Sequence, residues 1–520
     1  MAQELLFLKY ALKIKFDNAS GIQEITTASI SVYSIDGYFF FTSDYSKYFN
    51  YYKEFAETTV EFRPNQNWDG EFGMDWYRKG QYTWQDTSGN KIYDTGFANN
   101  VGTLPNQIDG NSYEPLSSFV PDKKMLTKLK SREYSVNQTN WSLADSEKES
   151  FTSWLSLDKG NVAKLNLRIR VKKEPGKLRV RYPKKYFKIT ATDYIDPADP
   201  NYSFYDLPAA QKKVSSSAKF FDLEITCIEE FGATQILEVK ADDKLAGVLK
   251  VFTNANKPVQ NILLVPVKIK MPDGKGRNFS QPSVPPSSTD DPNPVGVDYI
   301  KNHKKWLEQF LLQSQIKTNI EMYNDTSTPL VGDDYKQLDL TSDINFNKEF
   351  APDDANPSNN EGMFIRNTGT SGSPIYSIRA YYEPSKANRL DLKQYLTNQL
   401  PAKYNDSKYK SYLVVFFMNI NGYCMTNDTT FKSQLNGYSS GKWTNLLVFK
   451  LATDNNETVA HEVYHSLGIP HTFDKTDVNS FYVYKGTMTD NLLDYSHHIG
   501  KNRRSLFHWQ WILARKNVKK

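Results

Sequence analysis

The 520-residue sequence predicts a multidomain protein: a β-rich N-terminal half, sandwich- or barrel-like, followed by a C-terminal mixed α/β domain. Three observations point there. The length exceeds what one ordinary hydrophobic core supports. The segment Pro272 to Val297 sets Pro282, Pro285, Pro286, Pro292 and Pro294 among Ser, Asp, Asn and Gly, has no helix or strand period, and reads as an exposed tether. Ahead of it apolar residues alternate with period two, whereas behind it strand-like runs interleave with helical ones. The expected division is an aromatic-rich β domain at 1–155, a small β-sandwich at 156–271, the tether at 272–297 and the mixed domain at 298–520.

The first domain is dense in aromatics: Tyr38 to Phe41, then Tyr48, Phe49, Tyr51 and Tyr52, then Trp68, Trp76 and Trp84. Such density suits a β core, a protein interface for docking or delivery, or a sugar-binding platform. In the second domain Leu165, Leu167, Ile169 and Val171 point one way while Lys164, Arg168, Arg170 and Lys172 point the other, a strand from Val162 to Lys172. Glu174-Pro175-Gly176 then predicts a hairpin turn into a strand from Lys177 to Tyr182. Further strands are expected at Phe220 to Ile228, Ile236 to Lys240, Gly247 to Phe252 and Ile262 to Lys270. The hairpin region 164–188 holds eleven basic residues against Glu174 alone. It reads as the solvated face of a sheet or as a contact for an acidic protein or other polyanion. No aromatics are interleaved on its outer face, which argues against single-stranded nucleic acid.

Behind the tether a helix is expected over Asp298 to Gln315, with Ile300, Trp306, Phe310 and Leu311 inward. Ile375 to Tyr382 reads as a strand, Arg389 to Leu400 as a helix stopped by Pro401, and Tyr412 to Met418 as a buried strand. Ala351 to Gly362 is rich in Asp and Asn; it is a candidate Ca²⁺ loop or a solvated turn, and its spacing matches no calcium loop.

The chemistry is concentrated at residues 461–471, His-Glu-Val-Tyr-His-Ser-Leu-Gly-Ile-Pro-His. On a helix His461 and His465 lie one turn apart and project from one face at the separation a single Zn²⁺ needs. Glu462 lies beside them. Gly468 can take positive φ, end the helix and return His471 as a third nitrogen ligand. Three protein ligands leave a fourth position open, as in catalytic rather than structural zinc sites. Val459, Val463 and Leu467 form an apolar stripe opposite the histidines, Asn455 or Asn456 can cap the helix, and Asn445 to Lys450 reads as a strand leading into it. His497, His498 and His508 read as ordinary polar or packing residues, because three nitrogens are already supplied.

This motif resembles that of the metzincin zinc peptidases. That family carries a tight turn with a Met beneath the ligands; here Asn491-Leu492-Leu493-Asp494-Tyr495 is the matching stretch, with Leu493 at the Met position. Leu for Met conserves volume. Met488 is a second candidate, but Thr489 and Asp490 after it fit less well. Tyr495 falls where some members place a Tyr that binds zinc or stabilises the transition state; an ordinary packed tyrosine is the other reading. Arg503 to Asn517 resembles the family's closing helix. The resemblance implies peptide-bond hydrolysis inside a polypeptide, with zinc on His461, His465 and His471, Glu462 as general base and Tyr495 as an oxyanion donor.

Composition narrows the classes. Basic and acidic residues number 64 and 59, a net +5 that gives no argument for nucleic acid. No apolar run approaches the roughly 18 residues of a membrane span. The start, Met1 to Lys9, carries Glu4 where a signal peptide wants a base, so export by the general secretory route is not expected. Cys227 and Cys424 are the only cysteines, and reduced buried thiols are expected. Peptidase and missing signal together suggest an effector or toxin delivered by a contractile injection or other non-Sec apparatus. The competing readings are a non-enzymatic component of a secretion apparatus that retains a zinc-binding domain, and an intracellular processing peptidase.

Overall fold

The structure, a computed structural model, describes residues 8–10, 13–16, 23–26, 30–35, 38–40, 57–80, 82–85, 91–103, 119–134, 152–189, 193–277, 279–280, 295–296, 298–324, 336–349, 364–367, 375–382, 391–425, 431–474, 482–499 and 501–520. The protein is multidomain and β-rich, with several sheets and a C-terminal region that contains helices. No helix among the described residues is long and apolar enough to cross a membrane.

The period-two segments build a sandwich. Its strands are β1 (Thr58–Pro64), β2 (Gly73–Asp75), β3 (Thr152–Ser156), β4 (Val162–Val171), β5 (Leu178–Pro183), β6 (Phe187–Ile189), β7 (Tyr194–Ile195), β8 (Tyr202–Asp206), β9 (Lys219–Cys227), β10 (Gln235–Ala241) and β11 (Lys244–Val251). One sheet runs β7-β8-β5-β10-β11-β3-β2 and the other β6-β9-β4-β1. Leu165, Leu167 and Ile169 of β4 and Leu178 and Val180 of β5 are buried in a common core, as their alternation requires.

The expected hairpin is corrected. β4 pairs with β1 and β9, whereas β5 pairs with β8 and β10, so the Glu174-Pro175-Gly176 turn carries the chain from one sheet to the other. The basic residues therefore divide between two sheets, and several meet acids: Arg168 with Glu61 at 3.3 Å, Arg179 with Asp243 at 3.1 Å, Arg181 with Asp196 at 2.7 Å. Those acids lie outside residues 164–188, from 15 to 107 positions away from their partners, and a local charge count does not register them.

Residues 57–76 also belong to the sandwich rather than to a separate aromatic domain. Phe72 and Trp76 are buried in its core and Trp68 packs against it, so these aromatics do not form an exposed platform. Tyr48, Phe49, Tyr51 and Tyr52 lie outside the described residues, as does the Ala351 to Gly362 loop. Tyr38–Phe40 is an edge strand of a small sheet with Leu8–Tyr10 and Ile30–Ile35.

The mixed domain starts earlier than expected, at β12 (Val259–Lys270). It continues through α1 (Asp298–Gln313), β13 (Lys317–Met322), β14 (Tyr376–Tyr382), α2 (Leu392–Asn398), β15 (Tyr412–Met418), β16 (Gly437–Ser439), β17 (Leu446–Phe449), α3 (Thr458–Ser466) and α4 (His508–Lys516). β12 is no sandwich strand: it runs parallel to both β13 and β15. Its run Ile262 to Val267 is continuously apolar, the pattern of a strand buried on both faces. The Pro-rich segment consequently runs between β12 and α1, whose buried residues share one core; its described parts form short strand pairs, Gly276–Arg277 with β12 and Phe279–Ser280 with Val295–Gly296. β17 lies parallel to β15, and β16 closes this edge antiparallel to β17.

α2 begins later than expected, because the Asp391 side chain caps it by accepting from the Lys393 N–H at 2.7 Å. α4 likewise begins at His508 rather than Arg503. α3 packs on α1, and the Tyr464 hydroxyl donates to the Phe310 carbonyl at 2.7 Å. The fully buried His303 of α1 is linked through Nδ1 to the Asn456 carbonyl at 2.8 Å, just ahead of α3. Burial holds its pKa down, to about 4, so the folded protein keeps the ring neutral while an unfolded chain takes up a proton near the ordinary value of 6.5. His303 thus contributes stability that is complete above pH 6.5 and is lost as pH falls through 4. Thermal melting of the metal-free protein should fall across that window, and His303→Gln should flatten part of the fall.

Candidate metal centre

The site is assembled from α3 outward. Val459, Val463 and Leu467 are fully buried, so α3 is anchored on one face and turns His461 and His465 toward the other. Gly468 adopts φ +74°, the left-handed conformation that ends the helix and redirects the chain to His471. The expected cap is corrected: Glu457 precedes α3 without a side-chain cap bond, Asn455 Oδ1 instead accepts from Arg503 at 2.8 Å, and Asn456 offers its carbonyl to His303.

The three imidazoles converge. His465 Nε2 lies 3.0 Å from His461 Nε2 and 3.0 Å from His471 Nε2. Among the described residues this is the group of three or more metal-ligating side chains that comes together, with its donor atoms within 4.8 Å of one another. His461 Nδ1 faces the Leu492 carbonyl at 2.8 Å and His465 Nδ1 faces the Ile469 carbonyl at 2.8 Å. A carbonyl only accepts, so each Nδ1 carries the proton and each Nε2 presents a lone pair. Lone pairs facing one another at 3.0 Å repel unless a cation lies among them, which is the fit these residues offer to a metal ion. Tetrahedral zinc with Zn–N of about 2.0–2.1 Å sets its nitrogens roughly 3.3 Å apart, close to the two 3.0 Å separations that His465 makes.

Burial keeps all three rings neutral and ligand-ready: it depresses His461 and His471 far below the usual range and holds His465 near 4. Beneath them sits the 491–495 turn. Leu493 is fully buried with Val459, Ala460 and Val463, whereas Met488 is half-buried, which favours Leu493 as the residue under the ligands. Asp494 closes the turn, accepting from Thr487 N at 2.6 Å, Thr489 N at 2.8 Å, Thr489 Oγ1 at 2.7 Å and Tyr495 N at 2.7 Å. The Tyr495 ring stands 4.8 Å from the His471 ring and 6.2 Å from the His461 ring, centroid to centroid.

Glu462 is 7 % exposed, and burial pushes its carboxyl up to about 8 against the pull of Lys393 and Arg503. A divalent cation at the triad would favour its ionised form. The edge strand β16 passes directly over it: a Cβ on Gly437 would lie 2.7 Å from Glu462 Cγ and 2.9 Å from its Oε1.

Motif reading did not single out Gly437 or Lys393, and it took Arg503 for a helical residue. Lys393 is 6 % exposed, bonds the Ser440 hydroxyl beyond β16 and lies over the Tyr438 ring; burial holds it down to about 8. Arg503 is 3 % exposed and donates to the Leu492 and Asp494 carbonyls, both at 3.3 Å. No local signal marks either: Lys393 stands among Asp391, Gln394, Thr397 and Asn398 on an amphipathic segment, and Gly437 is one glycine among many.

The other candidates lie elsewhere. His508 pairs with Glu133 at 3.0 Å and stacks on Trp154, His497 does not join the triad, and the His498 side chain is outside the described residues. Cys227 and Cys424 are buried free thiols.

No family model matches the chain, and no curated protein matches it. Parts of two solved structures are similar to part of it. One is a CaDoc0917–CaCohA2 complex at pH 5.5, with 14% identity and a TM-score of 0.14 over 20% of this chain and 94% of that one. The other is a non-cellulosomal cohesin from the hyperthermophilic archaeon Archaeoglobus fulgidus, with 10% identity and a TM-score of 0.12 over 19% of this chain and 87% of that one. At these scores neither bears on the metal centre.

Equilibrium dialysis with Zn²⁺ should find one tightly held ion per chain. His465→Ala, which removes the central nitrogen, should lose that ion while the sandwich remains folded by circular dichroism.

Proposed function

We propose that the protein is a zinc-dependent endopeptidase acting through His461, His465, His471 and Glu462. The observation that carries this reading is the convergence of three imidazole nitrogens, two of them with their lone pairs set by Nδ1–carbonyl bonds, beside a buried carboxyl group. Zinc bound by the triad would polarise a substrate carbonyl and lower the pKa of water toward about 7.

The chain's own residues do the rest. Glu462, held in place by Gly437 and by the charges of Lys393 and Arg503, takes the proton of the attacking water and passes it to the leaving amine. Tyr495, beside two of the ligand rings, donates to the oxyanion that forms on the scissile carbonyl. Among the described residues β16 is the last strand at its edge of the sheet, so its outer backbone groups can pair with an extended peptide. A chain laid along an open edge can continue past both ends of the site, which favours cleavage inside a polypeptide. Delivery as an effector by a contractile injection or other non-Sec apparatus is the part of this reading that draws on the sequence alone, and co-purification with such an apparatus is its test.

A peptide-library digest with the zinc-loaded protein, with and without chelator, tests the activity: chelator-sensitive internal cleavage is expected, while zinc without cleavage assigns the domain a binding or structural role. Glu462→Gln should retain zinc and lower kcat by about 10²–10⁴-fold, and Tyr495→Phe should lower it by about 10²-fold. Gly437→Ala should displace Glu462 and lower kcat/KM on the order of 10²-fold with zinc stoichiometry unchanged.

A further inference from the structure

We propose that Arg78, a residue of the N-terminal half, is a positioning residue of the metal centre. It acts by clamping Asp490 and Ser505 and so fixing the turn that orients His461; this rests on the metal-binding reading of the triad.

Arg78 is 2 % exposed and spends its donors across two parts of the chain. Nη1 donates to Asp75 Oδ1 at 2.7 Å and to the Trp76 carbonyl at 2.9 Å. Nη2 donates to Asp490 Oδ1 at 3.0 Å and to Ser505 Oγ at 3.1 Å. The guanidinium lies 3.9 Å over the Trp76 ring, so its plane is held as well as its charge. Asp490 and Ser505 are the two ends of the structure beneath the ligands. The Asp490 carbonyl accepts from Arg504 N at 3.0 Å and Ser505 N at 3.1 Å, and the Ser505 carbonyl accepts from Leu492 N at 2.8 Å. One peptide further along, on the same residue, is the Leu492 carbonyl, the partner of His461 Nδ1. From the Arg78 guanidinium to the first ligand there are thus only bonded neighbours and short hydrogen bonds.

A second set of contacts runs in parallel to the third ligand. Gly102 N donates to the Val483 carbonyl at 3.0 Å, Lys485 N to the Asn100 carbonyl at 2.8 Å, and Tyr484 N to the Thr472 carbonyl at 2.8 Å, next to His471. Lys501 Nζ reaches both Thr95 Oγ1 at 2.7 Å and the Met488 carbonyl at 3.1 Å. The segment around residues 78–102 therefore braces two of the three ligands. The N-terminal half is part of the site's scaffold, and metal affinity is conditional on the two halves being docked.

The test uses the full chain with zinc, and with cobalt as a spectroscopic probe. Asp490→Asn keeps the shape of a partner whose side chain is 33% exposed but removes its charge, and leaves Arg78 its bond to Asp75. Arg78→Lys keeps the charge but loses the fork. For both, zinc affinity by chelator competition should fall about 10–100-fold and the visible bands of the cobalt form should weaken, with melting of the metal-free Asp490→Asn protein little changed. Arg179→Gln, which breaks the exposed sandwich pair with Asp243, should leave affinity unchanged. Should Arg78→Lys fail to fold, Asp490→Asn decides. Zinc affinity within about two-fold of the parent in folded Asp490→Asn overturns the inference, whereas a parent protein that takes up no zinc overturns the metal reading itself.

Discussion

The hydrogen bond between His461 Nδ1 and the Leu492 carbonyl is the interaction on which the rest of the site depends. It sets the tautomer and the plane of the first ligand, and therefore where its Nε2 lone pair points. A carbonyl can do this only if its own peptide is immobile. That immobility comes from Asp494, which closes the turn through four accepted hydrogen bonds, from the Asn491 side chain, which accepts from Leu493 N at 2.9 Å, and from Arg503. Buried polar groups are costly unless satisfied, and here their satisfaction is what makes the turn rigid.

Burial also determines the charge state of the site. Desolvation keeps the three imidazoles neutral, which is the form that binds a metal, and the same desolvation raises Glu462, which makes it a stronger base. Lys393 and Arg503 counter part of that rise. The carboxylate is thus held between a low dielectric that disfavours its charge and two cations that favour it, with β16 fixing its position through the absence of a side chain at Gly437.

What was legible in sequence was what is contiguous. The α3 stripe, the positive φ of Gly468, the strand before the helix and the Leu-containing turn could be read because spacing within a helix or turn dictates geometry directly. The misreadings share a cause. The 164–188 hairpin failed because a tight turn can lead back along the same sheet or across to another, and only the pairing of β4 with β9 and of β5 with β10 decides between them. β12 was grouped with its sequence neighbours although its unbroken apolar run differs from their alternation; that run was the available signal.

The sequence by itself determined the candidate ligand set, because His461, His465 and His471 lie within eleven residues and their separation follows from the period of one helix and one glycine. Only the tertiary structure decided what surrounds them: Gly437 over Glu462, Arg503 under Leu492 and Arg78 against Asp490. The last of these contacts joins residues 412 positions apart. Local backbone geometry carries no information across such a distance. It is the burial of two cores against each other, with charges that must be paired once buried, that selects those partners.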